Sequence, residues 1–257
     1  MSSNFQQFKA LHQSGQLLII PNAWDAKSAA GFQQANFPAV ATSSAAVAGA
    51  LGYEDGEKMP FSDYMFVIQR MLAVLQVPLS VDIEMGYGST NEAIFNNIRQ
   101  LAQLGVAGIN IEDSTIGPNG RVLKDARVFA QTIAYIKQQL QEAHLSLFVN
   151  VRCDTFLLNV TDKQSETIDR LKIYESNGAD GIFLPCISTP ADIAVAISNT
   201  SLPLNVMCIP GLPDFNALRQ LGVSRASMGP FLFSKAYEQA ATLSRETLTA
   251  NSFSPIL

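Results

Sequence analysis

PLSVDIEMGYGSTNEAIFNNIRQLAQLGVAGINIED, residues 78–113, reads as a strand, a helix and a second strand. PLSVDIE (78–84) and AGINIED (107–113) are near-continuous apolar runs that turn acidic at the C-terminal end, as strands buried on both faces require. Between them NEAIFNNIRQLAQLG (91–105) repeats apolar residues at three- and four-residue intervals, with Thr90 suited to an N-cap and Gly105 to a C-cap. Working outward, the same unit recurs. Strand candidates are LLIIPNA (17–23), PAVATSS (38–44), LSLFVNVR (145–152), DGIFLPC (180–186), LPLNVMC (202–208) and SRASMGP (224–230). DARVFAQTIAYIKQQLQEA (125–143) has helical periodicity behind an Asp125 N-cap. Eight strands, each followed by a helix, predict a single (β/α)₈ (TIM) barrel over 1–257 rather than an open sheet. The irregular stretches Ala45–Pro60 and Ser114–Lys124 both follow strand C-termini, the active face of such a barrel, where long loops often serve as lids.

The chain has 257 residues, 47% of them hydrophobic and only 15% charged, so part of its surface is expected to be buried in an oligomer. Net charge is −5, with no basic stripe to meet phosphates, so nucleic acid is not an expected partner. No apolar run approaches the roughly 18 residues of a membrane span, and MSSNFQQFKA lacks the regions of a signal peptide. Cys153, Cys186 and Cys208 sit in apolar contexts without CxxC spacing and read as reduced core thiols of a cytoplasmic protein.

Four clusters carry candidate chemistry. Asp82 and Glu84 are two apart, so on a strand they share one side. Two carboxylates aimed into one barrel mouth repel unless a cation, a proton or an arginine intervenes. Glu112 ends the neighbouring strand, about 4.8 Å away, while Asp113 points oppositely and reads as a cap or ion-pair residue. Three convergent oxygen ligands in a chain with two histidines suit Mg²⁺, or Mn²⁺, rather than zinc. Arg152 ends strand five beside them, as a bidentate clamp for a substrate carboxylate or as a counter-charge. Thr42, Ser43 and Ser44, with adjacent N–H groups such as that of Ala45, offer an oxyanion cradle, and Asp55 adds a carboxylate. The chain has no lysine at a strand end for a Schiff base, and no GxGxxG, Walker or GxSxG motif.

These blocks resemble, in order and spacing, the phosphoenolpyruvate mutase/isocitrate lyase superfamily. The likeness runs through PNAWDAKSA, ATSSAAVA, GYEDG, VDIEMGYG, GINIEDS, VNVRCD, GADGIFLP, PLNVM and GVSRASMGP. The resemblance implies a barrel whose eighth helix packs on a neighbouring subunit, within a dimer or tetramer. It implies that Asp82 contacts Mg²⁺ directly and that Asp55, Glu84 and Glu112 hold its water shell. Ser43 and the N–H groups after it would bind the carboxylate or 2-oxo oxygen of the substrate. Arg152 would bind a carboxylate, and Asn205 would make a polar substrate contact. The cysteine-bearing loop of the isocitrate-type lyases is replaced here by STIGPNGRVLKD, without cysteine or histidine. Cleavage of isocitrate or methylisocitrate is therefore not expected. Asn119 stands where the phosphonate-forming mutases place an asparagine, and the loop is expected to be a mobile gate. The expected function is Mg²⁺-dependent C–C cleavage, by a lyase or decarboxylase, in a small 2-oxo or 2-hydroxy acid through a stabilised enolate. The alternatives are P–C chemistry, as in a phosphonomutase or phosphonopyruvate hydrolase, and a barrel that binds a metabolite without turning it over.

Overall fold

A computed structural model describes residues 3–257. Its strands and helices alternate along the chain: α1 (Asn4–His12), β1 (Leu18–Ile20), β2 (Asn22–Ala23), α2 (Ala26–Gln34), β3 (Val40–Thr42), α3 (Ser44–Leu51), α4 (Phe61–Leu72), β4 (Leu79–Asp82), α5 (Asn91–Gln103) and β5 (Gly108–Glu112). After the pair β6 (Ser114–Gly117) and β7 (Gly120–Leu123), the alternation resumes with α6 (Ala126–Glu142), β8 (Phe148–Arg152), α7 (Lys163–Ser176), β9 (Gly181–Leu184), α8 (Pro190–Ser198), β10 (Leu204–Met207), α9 (Phe215–Leu221), β11 (Arg225–Ser227) and α10 (Phe231–Ala250).

Nine parallel runs follow one another around the sheet in the order β1-β11-β10-β9-β8-β5-β4-β3-β2. β1 and β2 are the two halves of the first barrel strand, interrupted at Pro21, which has no N–H for a ladder. The lower half pairs with β11 and the upper half with β3, so the sheet closes on itself as the expected eight-stave barrel. Asn22 carries the seam above Pro21. Its side-chain amide donates to Thr42 O at 2.7 Å, and its Oδ1 accepts from the Met228 and Gly229 N–H groups at 2.9 Å.

Thr90 and Asp125 cap α5 and α6 as their positions predict, and Gly105, at φ 91°, follows the C-cap Leu104. Two loop expectations are corrected. The segment after β3 is helical at once, because Ser43 accepts from Ala46 N–H and the small residues behind it are good helix formers. The segment after β5 is an antiparallel hairpin in register Ser114↔Leu123 and Gly117↔Gly120.

The main core lies between strands and helices, with Ile68, Met71, Ile98, Ile111, Ile133, Val151 and Ile182 fully buried. A second cluster fills the barrel floor, where α1 inserts Phe8 against Leu18, Ile20, Ala41 and Phe148. Gly108 makes this insertion possible, since a Cβ there would meet the Phe8 ring at 2.8 Å. α10 is different: none of its residues is buried, and Phe231, Tyr237 and Leu248 are exposed. Its first turn is held by the Phe233 ring, 5.5 Å from Trp24. No helix among the described residues is long and apolar enough to cross a membrane.

Candidate active site

The strand C-termini surround a cavity of about 170 Å³ lined by Ser43, Ser44, Ala45, Asp55, Asp82, Asn110 and Arg152, with Leu157, Phe183, Pro185 and Met207 as an apolar wall. Strand alternation places these side chains: Asp82 and Arg152 end β4 and β8, Asn110 sits in the middle of β5, and all three face inward.

Asp82 is fixed by a closed ring of hydrogen bonds. Its N–H donates to Thr42 Oγ1 at 3.0 Å, and Tyr64 Oη donates to its carbonyl at 2.8 Å. That uses the only phenolic proton, so Thr42 donates to Tyr64. Thr42 therefore orients Asp82 from behind and does not line the cavity, as a substrate contact would. Asp82 Oδ2 accepts from Ser44 Oγ at 2.9 Å and from Ser44 N–H at 3.4 Å, tying it to the N-terminus of α3. That helix end also carries the Ala45 N–H, and its dipole favours negative charge. Burial raises the Asp82 pKa, with nearby Asp55 adding to the rise, while Arg152 and Ser44 oppose it.

Glu84 departs from the expected geometry. β4 ends at Asp82, and Glu84 lies beyond it at φ 51°, so alternation no longer aims the two acids together. Its carboxylate accepts from Glu57 N–H and Tyr87 Oη, both at 3.0 Å, and does not line the cavity. Burial, then Asp55 and Asp82, push its pKa up to about 7. Glu57 answers the contact, its Oε1 accepting from Tyr87 N–H at 2.6 Å. The turn bearing Asp55 is thereby clasped to the turn after β4.

Glu112 does not line the cavity either. One of its oxygens pairs with Arg121 of the hairpin, and the other stands 2.9 Å from Arg152, a close ion pair rather than an aligned hydrogen bond. Arg152 Nε donates to Asp154 at 2.6 Å, and its NH2 to the same carboxylate at 3.3 Å. Burial would lower the Arg152 pKa, but Asp154, Asp82 and Asp55 outweigh it and raise it. Asp154 also accepts from Ser114 Oγ and lies 3.7 Å from Arg121. Two arginines thus share two buried acids, one arginine reaching the cavity and the other rooting the hairpin.

The remaining expectations divide. Asn119 is exposed at the hairpin turn and outside the cavity lining. Asn205 is buried below the cavity, its Oδ1 accepting from Asn150 at 3.3 Å. Asp113 is an ion-pair residue, bound by Arg170 at 3.0 Å and Tyr174 at 2.7 Å. Cys153 is core, but Cys186 is half-buried and Cys208 exposed, so the latter two are not core thiols; all three are free. Asp154, Tyr64, Asn22 and Glu57 were not singled out in the sequence. Only Asp154 had a local signal, as the acid two residues after Arg152 in VNVRCD.

Among the described residues no group of three His, Cys, Asp or Glu side chains lies close enough to wrap a bare metal ion. Asp82, Glu84 and Glu112 do not form such a group. What is present is two cavity carboxylates, Asp82, whose Oδ1 meets no protein donor, and Asp55, with Glu84 outside the cavity lining. Mutually repelling acids around a polar cavity fit hydrated Mg²⁺, which takes one or two carboxylates and keeps several waters.

A family model, phosphoenolpyruvate phosphomutase, matches residues 8–248. An uncharacterised protein of Mycobacterium tuberculosis is 37% identical over 238 residues, covering 93% of this chain and 87% of its own length. A Burkholderia cenocepacia protein provisionally named a phosphonomutase superposes with a TM-score of 0.89 at 34% identity, over 95% of this chain and 100% of that one. Phosphonopyruvate hydrolase, solved with oxalate and Mg²⁺, shares the fold at a TM-score of 0.87 and 20% identity, over 98% of this chain and 89% of its own. More distant relatives are named as a mutase, lyases and decarboxylases. The chain is a barrel protein of the phosphoenolpyruvate phosphomutase family, within a superfamily of lyases and mutases.

Proposed function

We propose that the protein is a Mg²⁺-dependent enzyme that cleaves a C–C bond in a small 2-oxo acid, decarboxylation being the reaction its site suits best. The observation that carries this reading is the content of the cavity. Its ionisable side chains are Asp55, Asp82 and Arg152, with no cysteine, histidine or lysine among the lining residues. Retro-aldol cleavage needs a base for a hydroxyl proton, whereas loss of CO₂ needs only stabilisation of the charge left behind.

Asp82 would hold the metal, with Asp55 and Glu84 receiving its water shell. When bound, Mg²⁺ supplies a Lewis acid for the substrate's 2-oxo oxygen. Arg152 keeps N–H groups free beyond those given to Glu112 and Asp154, and binds the carboxylate. Ser43 and the Ala45 N–H group, at a helix N-terminus that favours negative charge, would meet the charge that develops. Leu157, Phe183, Pro185 and Met207 exclude water and make an enolate easier to form there. Phosphonate chemistry is the second reading, favoured by the name of the Burkholderia relative. The single barrel is proposed to work in the cytoplasm as a homo-oligomer, supported by its free cysteines and by the uncovered α10, which a neighbouring subunit would pack. An assay of oxaloacetate, substituted malates, isocitrate and phosphonopyruvate with Mg²⁺ or EDTA tests the reading. Mg²⁺-dependent release of CO₂ or a C–C fragment is expected, and turnover of phosphonopyruvate alone would replace it with the second reading.

A further inference from the structure

Below the cavity, the barrel floor holds a second polar cluster. Ser227 faces the cavity, so Arg225, two residues earlier on β11, points into the same interior lower down. Arg225 is fully buried, and its Nε, NH1 and NH2 all lack a hydrogen-bond partner. No acid lies within ion-pair distance among the described residues; the charge that reaches it is that of Asp82, farther up the barrel. Its guanidinium carbon stands 5.8 Å from the Phe8 ring centroid. α1 stoppers this end with Phe8 and with His12, whose ring stacks on Phe148 at 4.4 Å. His12 Nδ1 lies 2.8 Å from Phe8 O and so carries the proton, leaving Nε2 as an unpartnered acceptor. Ser80, two residues before Asp82 on β4, faces the same interior, and its buried Oγ is also unpartnered.

The inventory is lopsided. A guanidinium brings five N–H donors and no acceptor, and although burial lowers its pKa to about 10 it keeps its charge at neutral pH. The Ser80 hydroxyl adds another donor. Opposite them stand His12 Nε2 and the lone pairs of one hydroxyl. Enclosed water would not right the balance, because each molecule brings as many donors as acceptors. A ligand that only accepts, and carries negative charge, satisfies both the surplus and the unpaired cation.

We propose that the floor of the barrel is a binding site for one small inorganic anion of halide size, held by Arg225 and Ser80 and shut in by Phe8 and His12. The test is to refold and crystallise the protein in bromide, and to follow thermal unfolding in chloride against gluconate at equal ionic strength. Anomalous density within hydrogen-bonding reach of Arg225 is expected. So is a Tm several degrees higher in chloride, a difference lost in Arg225→Met. With its buried charge gone, Arg225→Met should also exceed the wild type in gluconate. If that variant does not fold, Ser80→Ala should fold and show a reduced chloride response. No bromide at Arg225, or a chloride response unchanged in the variant that folds, would overturn the assignment.

Discussion

Arg152 and Glu112 end neighbouring strands in direct register, and the guanidinium of one stands 2.9 Å from the carboxylate of the other. Glu112 and Asp154 therefore hold Arg152 in one pose before any substrate arrives. Such preorganisation lowers the entropy lost when a carboxylate is clamped. Arg152→Lys keeps the charge but loses the fork. KM for the substrate is expected to rise about ten- to a hundredfold, from a charged hydrogen bond of about 1.5–3 kcal/mol. Unchanged kcat and KM would make Arg152 only a counter-charge to the acids.

Asp82→Ala removes the cavity carboxylate that meets no protein donor on Oδ1, while its backbone ring with Thr42 and Tyr64 can persist. The fold should be kept and Mg²⁺ binding, read by calorimetry, should be lost. Activity should fall by at least about a hundredfold, matching the several kcal/mol a metal contributes. EDTA should abolish wild-type activity. Full turnover in metal-free buffer contradicts this reading.

The hairpin rests on the turn that bears Asp55: a Cβ on Gly56 would collide with Ile116 Cδ1. Gly56 is also at φ 92°. Gly56→Ala should cost about 1–2 kcal/mol for the backbone alone and displace the hairpin as well. Thermolysin should then cut within 114–123 faster, and faster still in Arg121→Ala, which frees the root of the hairpin from Glu112 and Asp154. Mg²⁺ with oxalate should slow the cut in the wild type. Equal rates in all three proteins would show that neither contact holds the hairpin down.

Burial, together with the charge of Arg225, lowers the His12 pKa from 6.5 to about 3. Between those values the unfolded chain binds a proton that the folded one refuses, so stability falls as pH drops from 6.5 towards 3. In halide-free buffer, His12→Leu should lose this part of the acid sensitivity. Denaturant midpoints from pH 7 to pH 4 give the measurement; parallel curves for the two proteins would place the proton elsewhere.

The barrel and the two sides of its cavity were legible because they depend on short-range rules. Strand alternation put Asp82 and Arg152 in the mouth, and cap chemistry located Thr90 and Asp125. Those rules fail where the chain leaves the regular element. Glu84 escaped alternation because the strand stops two residues before it. SAAVAGAL was read as an irregular cradle because its small residues leave no polar face to mark a helix. Long-range pairings gave no signal at all. Arg121 reaches Asp154 33 residues on, and Asn22 meets Gly229 207 residues away. Neither spacing repeats with a period that a linear reading could detect.

Pro21 leaves the wall of the barrel without a continuous ladder at one stave, and the Asn22 side chain ties the gap. The same side chain is exposed to whatever fills the cavity. One side-chain amide thus both ties the gap towards β11 and meets the cavity. A ligand that competes for Asn22 would slacken the hoop at its one spliced stave, and one that leaves Asn22 alone would find it taut.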